Sequence, residues 1–290
     1  MPDVDRGAGR LGTLYIVATP IGNLDDLSAR AIRVLETADL VAAEDTRHSG
    51  RLLQHLGLRK RLVALHDFNE RARAGSVLDE LEAGLDVALI SDAGTPLISD
   101  PGYVLVREAR RRGLRVSPVP GPCALVTALS AAGLPTDRFL FVGFLPAKRT
   151  GRQSALGELS QECATLVFYE SPHRIQDSLA DIEQVFGSER EVVLGRELTK
   201  TFETFYAGTV RDVRAELESD PHGGKGEFVV MVHGAEPSGP DESGGMVDTD
   251  RLLRVLMSEL PVKKVAKMAS ELTGRSKNEL YQRALELREG

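Results

Sequence analysis

Short apolar runs recur along this chain, each followed by a loop of glycine, proline and small polar residues and then by a stretch with helical periodicity. Leu14-Tyr15-Ile16-Val17-Ala18 is the first and ends at Thr19-Pro20. Residues 40–43, 87–90, 116–119, 139–144, 165–169, 192–194 and 228–232 repeat the pattern. Apolar runs of about 4–8 residues bounded by turn signals read as strands buried on both faces. Asp100-Pro101 and Ser171-Pro172 each pair an N-cap residue with a proline suited to the first helical position. Strands alternating with helices predict an α/β chain with parallel-rich sheets covered on both faces.

At 290 residues the chain is too long for one typical domain. The alternation pauses near Gly121-Pro122 and resumes at Phe139, so two sheets are expected. We divide the chain into a flexible N-terminus (1–12), two α/β domains (13–122 and 123–233), a Pro/Gly/Ser-rich linker (234–247) and a basic helical tail (248–290). In the tail, Leu252, Leu253 and Leu256 suit one amphipathic helix, Val265, Met268, Ala269 and Leu272 a second, and Leu280, Ala284 and Leu287 a third. Thr273-Gly274-Arg275 breaks the last two apart, and Ser276 with Glu279 makes a capping-box pattern, as in a helix-turn-helix.

Charge is segregated along the chain. The net charge is -7, which taken alone argues against a phosphate-rich partner. Residues 251–290, however, hold nine basic side chains against five acidic ones, leaving -11 for residues 1–250. The average therefore does not exclude local RNA contacts, for which the tail and the arginines Arg107, Arg110, Arg111 and Arg112 are available. Cys123 and Cys163 are the only cysteines and read as two core thiols. No Cys or His cluster has metal spacing, so no metal is expected. The N-terminus lacks the apolar core of a signal peptide and no run of about 18 apolar residues occurs, so a cytoplasmic protein is expected.

Gly7-Ala8-Gly9-Arg10-Leu11-Gly12 matches the letters of a dinucleotide fingerprint, but it precedes the first strand instead of following one, so it carries no nucleotide reading. Three other loops follow strands directly. They are Ala18-Thr19-Pro20-Ile21-Gly22-Asn23-Leu24, residues 91–102 (Ser-Asp-Ala-Gly-Thr-Pro-Leu-Ile-Ser-Asp-Pro-Gly) and Pro118-Val119-Pro120-Gly121-Pro122-Cys123-Ala124. Ligands of open α/β sheets sit outside the carboxyl ends of strands, and small residues there let a ligand approach the backbone. Each loop alone reads more readily as turn chemistry; three together point to a shared pocket.

These loops stand in order with Glu44-Asp45-Thr46-Arg47, Phe168-Tyr169-Glu170-Ser171-Pro172-His173-Arg174 and Arg196-Glu197-Leu198-Thr199-Lys200. Together they resemble the 16S ribosomal RNA cytidine 2′-O-methyltransferases, a branch of the tetrapyrrole-methylase superfamily, over residues 11–232. The basic tail is similar to that family's C-terminal region. The resemblance implies two α/β domains with S-adenosylmethionine held in the cleft between them, a homodimer, and a decoding-centre cytidine presented within the small ribosomal subunit. It also implies that Pro20, Asp92, Gly94, Thr95, Ile98, Gly121, Ala124, Tyr169 and Glu170 line the cofactor site. Gly94-Thr95-Pro96 departs from the Gly-Asp-Pro of the wider superfamily, which fits the RNA branch.

The 2′-hydroxyl is a poor nucleophile until its proton is shared, so a general base is sought. Glu44 and Asp45 are the first candidates, with helix capping by Asp45 and pairing of Glu44 with Arg47 as the alternative. Lys200 is another candidate, as a desolvated lysine or an oxyanion partner; His173 is a third, unless its place at a helix start is structural. Arg47, Arg174, Arg196, Lys263 and Lys264 suit RNA phosphate contacts, with surface salt bridges, or packing of the tail on a dimer partner, as the alternative. Two other functions stay open: tetrapyrrole C-methylation on the same fold, and nucleic-acid binding by a non-enzymatic regulator.

Overall fold

The computed structural model describes residues 10–236 and 249–289. The chain forms two compact units, 1–235 and 236–290. The glycine-rich start up to Gly9, residues 237–247 of the expected linker and residue 248 of the expected tail lie outside the described residues.

The larger unit contains two five-stranded sheets. The first is wholly parallel, in the order β3 (Arg61–Ala64), β2 (Leu40–Ala43), β4 (Val87–Ile90), β1 (Thr13–Val17), β5 (Arg115–Val119). The period of two along each strand sends alternate side chains to opposite cores. Val87 and Leu89 join Leu14 and Leu40 under α3 (Glu70–Glu82) and α4 (Tyr103–Arg111). Ala88 and Ile90 join Val17 and Val41 under α1 (Ala29–Thr37) and α2 (Thr46–His55). Burying such side chains stabilises by about 1.5–3 kcal/mol each, which is why β2 and β4 carry no polar residue.

The second sheet runs β6 (Phe139–Phe144), β7 (Thr165–Glu170), β10 (Phe228–Val232), β8 (Glu191–Arg196), β9 (Thr204–Thr209). Only β6 and β7 pair in parallel; β10 is antiparallel to β7 and β8, and β8 to β9. The expectation of parallel-rich sheets is therefore corrected for this half. The short turn between β8 and β9 leaves no room for the crossover that parallel pairing requires. One face is covered by α6 (Arg149–Glu158), α7 (Ile175–Phe186) and α8 (Val210–Ser219), around fully buried Phe168. On the other, Leu125, Ala128 and Leu129 of α5 (Ala124–Ala131) pack on Val167, Val193 and Met231. The Asp181 carboxylate on α7 accepts from Arg152 and Gln153 on α6, at 2.7 Å each.

Both proline-marked helix starts fall short of the helices. After Asp100-Pro101 the helix opens at Tyr103 behind Gly102, whose φ of 126° interrupts the helical backbone. After Ser171-Pro172 a turn intervenes, and α7 begins at Ile175. The cysteines are not two core thiols either: Cys163 is exposed and Cys123 half-buried.

The smaller unit consists of α9 (Thr249–Met257), α10 (Val262–Thr273) and α11 (Lys277–Glu289) around Leu253, Val265, Ala266, Ala269, Leu280 and Ala284. Gly274 ends α10 in the left-handed region, at φ 72°. The Arg283 guanidinium donates twice to the Asp250 carboxylate, at 2.9 and 2.6 Å, and so ties α11 to α9. Lys263 and Lys264 are exposed on α10.

Candidate active site

Three loops at the carboxyl ends of the first sheet are bonded into one frame. Thr19 and Gly94 exchange backbone hydrogen bonds at 2.9 and 3.0 Å, joining the ends of β1 and β4. The Thr19 hydroxyl donates to the Ser91 carbonyl at 3.1 Å, and the Thr95 hydroxyl to the Pro122 carbonyl at 2.9 Å, which brings in the loop after β5. Gly94 has φ 79°, a backbone that favours glycine, and a Cβ there would lie 3.4 Å from Ile21. Leu97 and Ser99, with φ 74° and 65°, are left-handed without being glycine. Such strain persists only where surrounding structure holds it, and it concentrates at ligand-binding loops.

Between this frame and the second sheet lies a cleft of about 450 Å³. Asp92, Gly94, Thr95 and Ile98 line one side, and Ala124, Tyr169 and Glu170 another. These seven of the expected cofactor residues meet in one place. Pro20 and Gly121 stand behind the lining: Pro20 follows the Thr19 bridge, and a Cβ on Gly121 would come within 3.0 Å of Ala18. The Tyr169 hydroxyl accepts from the Leu125 N–H at 3.1 Å, and its ring meets Phe141 and Phe144 edge-on. Burial, then the neighbouring Cys123, raises the Tyr169 pKa. Glu170 reaches the wall with its oxygens already engaged by the Ser171 N–H, the Ser178 hydroxyl and Arg174, so it shapes the cleft.

Of the five carboxylates that line the cleft, Glu170 is already engaged and Glu227 holds Lys200; the other three are Glu44 at the end of β2, Asp92 at the end of β4, and Asp100. Burial, then the charge of Asp92, raises the Glu44 pKa. Asp100 is pushed up to about 6, first by burial and also by Glu44 and Asp92, against a lowering hydrogen bond with Ser91. Like charges in a half-buried site disfavour full ionisation, which suits proton transfer near neutrality. Asp100 was missed as a site residue because its position before Pro101 reads as a cap; its place on a strand-end loop was the available signal. Cys123, from the third strand-end loop, also lines the cleft, as do Phe144 and Glu227, which belong to none of the motifs.

Several expected residues take other parts. Asp45 is the N-cap of α2: it accepts from the Arg47 N–H at 2.8 Å and pairs with the exposed Arg47 side chain, which holds its carboxyl below the usual range. It is a cap, and Glu44 alone of the two faces the cleft. Lys200 is no desolvated base. Partial burial opposes its charge, but Glu197 and Glu227, at 2.7 and 2.9 Å, outweigh that and raise its pKa above the ordinary lysine value. Arg196 is corrected as a phosphate contact: it is buried and donates to the Tyr206 hydroxyl and the Asp220 carboxylate, both at 2.8 Å. Arg174 is likewise engaged, with the Leu145 carbonyl at 2.6 Å and with Glu170. Arg47, Lys263, Lys264 and His173 are exposed.

The chain matches the family described as Tetrapyrrole (Corrin/Porphyrin) Methylases over residues 13–214, and the RsmI C-terminal HTH domain over residues 245–288. It is 56% identical to the Ribosomal RNA small subunit methyltransferase I of Pseudomonas aeruginosa, covering 95% of this chain and 97% of that one. It is 54% identical to the protein of the same name from Escherichia coli, covering 95% of each. Among solved structures it is similar to uroporphyrin-III-C-methyltransferase from Thermus thermophilus, with 25% identity, a TM-score of 0.53, and coverage of 77% of this chain and 94% of that one. Motif order, the two-sheet cleft and near full-length likeness agree: the chain belongs to the tetrapyrrole methylases, in the branch of the ribosomal RNA small subunit methyltransferases I.

Proposed function

We propose that this protein transfers a methyl group from S-adenosylmethionine to the ribose 2′-hydroxyl of a cytidine in the decoding centre of 16S ribosomal RNA. The observation that carries the reading is identity above one half, over nearly the whole chain, to proteins named as methyltransferases of the small-subunit RNA. We also propose that the enzyme acts on the small ribosomal subunit, as a homodimer, in the cytoplasm. Among the described residues no helix is long and apolar enough to cross a membrane.

The cleft fits the cofactor by shape and charge. Small residues at Ala93, Gly94 and Ala124 leave the backbone open to a flat ligand, and the carboxylates suit a cationic sulfonium and an amino group. Asp92, Gly94, Thr95, Ile98, Ala124 and Tyr169 would hold it, with Pro20 and Gly121 setting the loops behind them. Bound there, it supplies an activated methyl group. Positioning of the acceptor then carries much of the acceleration, since an oriented encounter replaces a bimolecular one.

Glu44 is the proton acceptor in this reading. It faces the cleft, its partial burial makes it a stronger base than a free carboxylate, and Asp45 beside it is committed to the helix cap. Lys200, held between two carboxylates, braces the turn after β8 instead of moving a proton. The exposed Lys263 and Lys264 supply sequence-independent attraction to RNA. Labelled S-adenosylmethionine with small subunits that lack the modification tests the whole: label on a cytidine 2′-oxygen is expected. Label on a base, or on added uroporphyrinogen with none on RNA, overturns it.

A further inference from the structure

The end of the first sheet beside the cleft carries an aromatic and basic surface that the cofactor site does not use. Phe68, on the loop after β3, is fully exposed, and Tyr103, the first residue of α4, is 60% exposed. The two come from different segments, a loop and a helix start, but are fastened together. Buried Glu70 accepts from the Val104 and Leu105 N–H groups at 2.7 and 3.1 Å, substituting for the cap that Gly102 cannot provide. Phe68 thus sits two residues from one side of this bond and Tyr103 one residue from the other. The Phe68 loop is itself braced, because the Asn69 side chain accepts from the His66 N–H at 2.9 Å and donates to the Ala64 carbonyl at 3.2 Å. An unsupported phenylalanine would fold back on apolar surface; this one is held out in water.

Two arginines flank the rings. The Arg107 guanidinium lies 5.9 Å from the centre of the Tyr103 ring and donates to its hydroxyl at 3.3 Å. Arg71 is exposed directly after Glu70. Neither is paired with a carboxylate among the described residues, whereas Arg112, at the far end of α4, is engaged by Glu82, Asp79 and Glu108. The surface borders the cleft, since Asp100, which lines it, stands three residues before Tyr103.

From this juxtaposition we infer that Phe68, Tyr103, Arg71 and Arg107 form the docking surface for the single-stranded RNA flanking the methylated nucleotide, with the rings stacking on unpaired bases and the arginines meeting phosphates. Proteins read single-stranded RNA by such stacking combined with charged contacts to the backbone. Charge favours this route: Glu44, Asp92 and Asp100 repel phosphate from the cleft, so the backbone runs along the basic rim while the target ribose enters. The inference rests on the RNA-methyltransferase reading of the cleft.

The test uses the full-length protein, small subunits lacking the methyl group, and labelled S-adenosylmethionine. Phe68→Ala with Tyr103→Ala is expected to raise the KM for subunits about tenfold or more, with the KM for S-adenosylmethionine unchanged and partial recovery in Phe68→Tyr. Arg71→Ala with Arg107→Ala is expected to reduce the salt slope of RNA binding by up to about two. An unchanged KM for subunits and an unchanged salt slope, in variants that still methylate, overturn the docking surface. An equal rise in both KM values does so too, as does a shift in oligomeric state with RNA affinity intact. Failure of the unaltered protein to methylate RNA is a different result and removes the functional reading beneath it.

Discussion

The backbone N–H of Asp45 donates to the Asp92 carboxylate at 3.1 Å, and this bond ties the end of β2 to the end of β4. It sets Glu44 and Asp92 side by side although 47 residues separate the bonded pair. That juxtaposition bears on the chemistry of the cleft, because the charge of Asp92 adds to burial in raising the proton affinity of Glu44.

Glu44→Gln should lower kcat by about 10²–10⁴-fold with S-adenosylmethionine affinity retained, since a general base of this kind contributes that much. The native enzyme should gain activity with rising pH as Glu44, whose pKa lies above the ordinary carboxylate value, loses its proton. Single-turnover rates against pH are the measurement, and the variant should lose that rising limb.

Asp100→Asn should stabilise the ligand-free protein in a pH-dependent way. The folded pKa is about 6 against an ordinary 3.8. The protonated form is therefore favoured by folding, and its contribution is complete below the lower value and lost as pH rises through the higher one. Thermal melts at pH 7.5 should show the variant higher by about 2–4 °C, and melts near pH 3.5 should show little difference.

Thr95→Val removes the hydroxyl that joins the loop after β4 to the Pro122 carbonyl. Losing one such bond costs about 1 kcal/mol, and the loops it joins shape the cofactor site. Calorimetric titration should therefore find S-adenosylmethionine binding weaker by about fivefold, with the affinity for RNA unaltered.

Lys200→Ala leaves Glu197 and Glu227 facing each other without their shared cation, and it empties the space where Gly22 lies against the lysine stem. The turn 197–203 should loosen and the KM for the cofactor rise. The shape of the pH–rate profile should stay as it was, which separates a brace from a base.

Arg196→Ala breaks the buried group formed with Tyr206 and Asp220. An unfolding scan should show a melting temperature lower by about 5 °C. A salt titration of RNA binding should give the native slope, because this arginine holds β8 to the segment after α8 and is not offered to solvent.

Much of the architecture was legible in the residues. Interior strands such as Val87–Ile90 announce themselves because both faces are covered and every side chain is apolar. The strands that were missed, Arg61–Ala64 and Thr204–Thr209, are the edges β3 and β9, where partial exposure permits polar residues and dilutes the signal. The cleft loops could be read for the same reason as the interior strands: glycines and prolines at strand ends have few other uses. Arg196 and Lys200 misled because a charged residue within a recognisable motif looks the same in sequence whether it meets a ligand or a buried carboxylate.

The sequence by itself determined the order of strands and helices, the glycine and proline loops at their ends, and the separation of an acidic body from a basic tail. Those features depend on near neighbours, through hydrophobic period, backbone freedom and local charge. Tertiary structure alone decided which carboxylates face one another, which arginines are already paired, and that Glu70 would cap α4 across 34 residues of chain. Pairing and burial are relations between segments brought together only by folding. The free energy of a charge is set by those partners and by its access to water, not by its place in the chain.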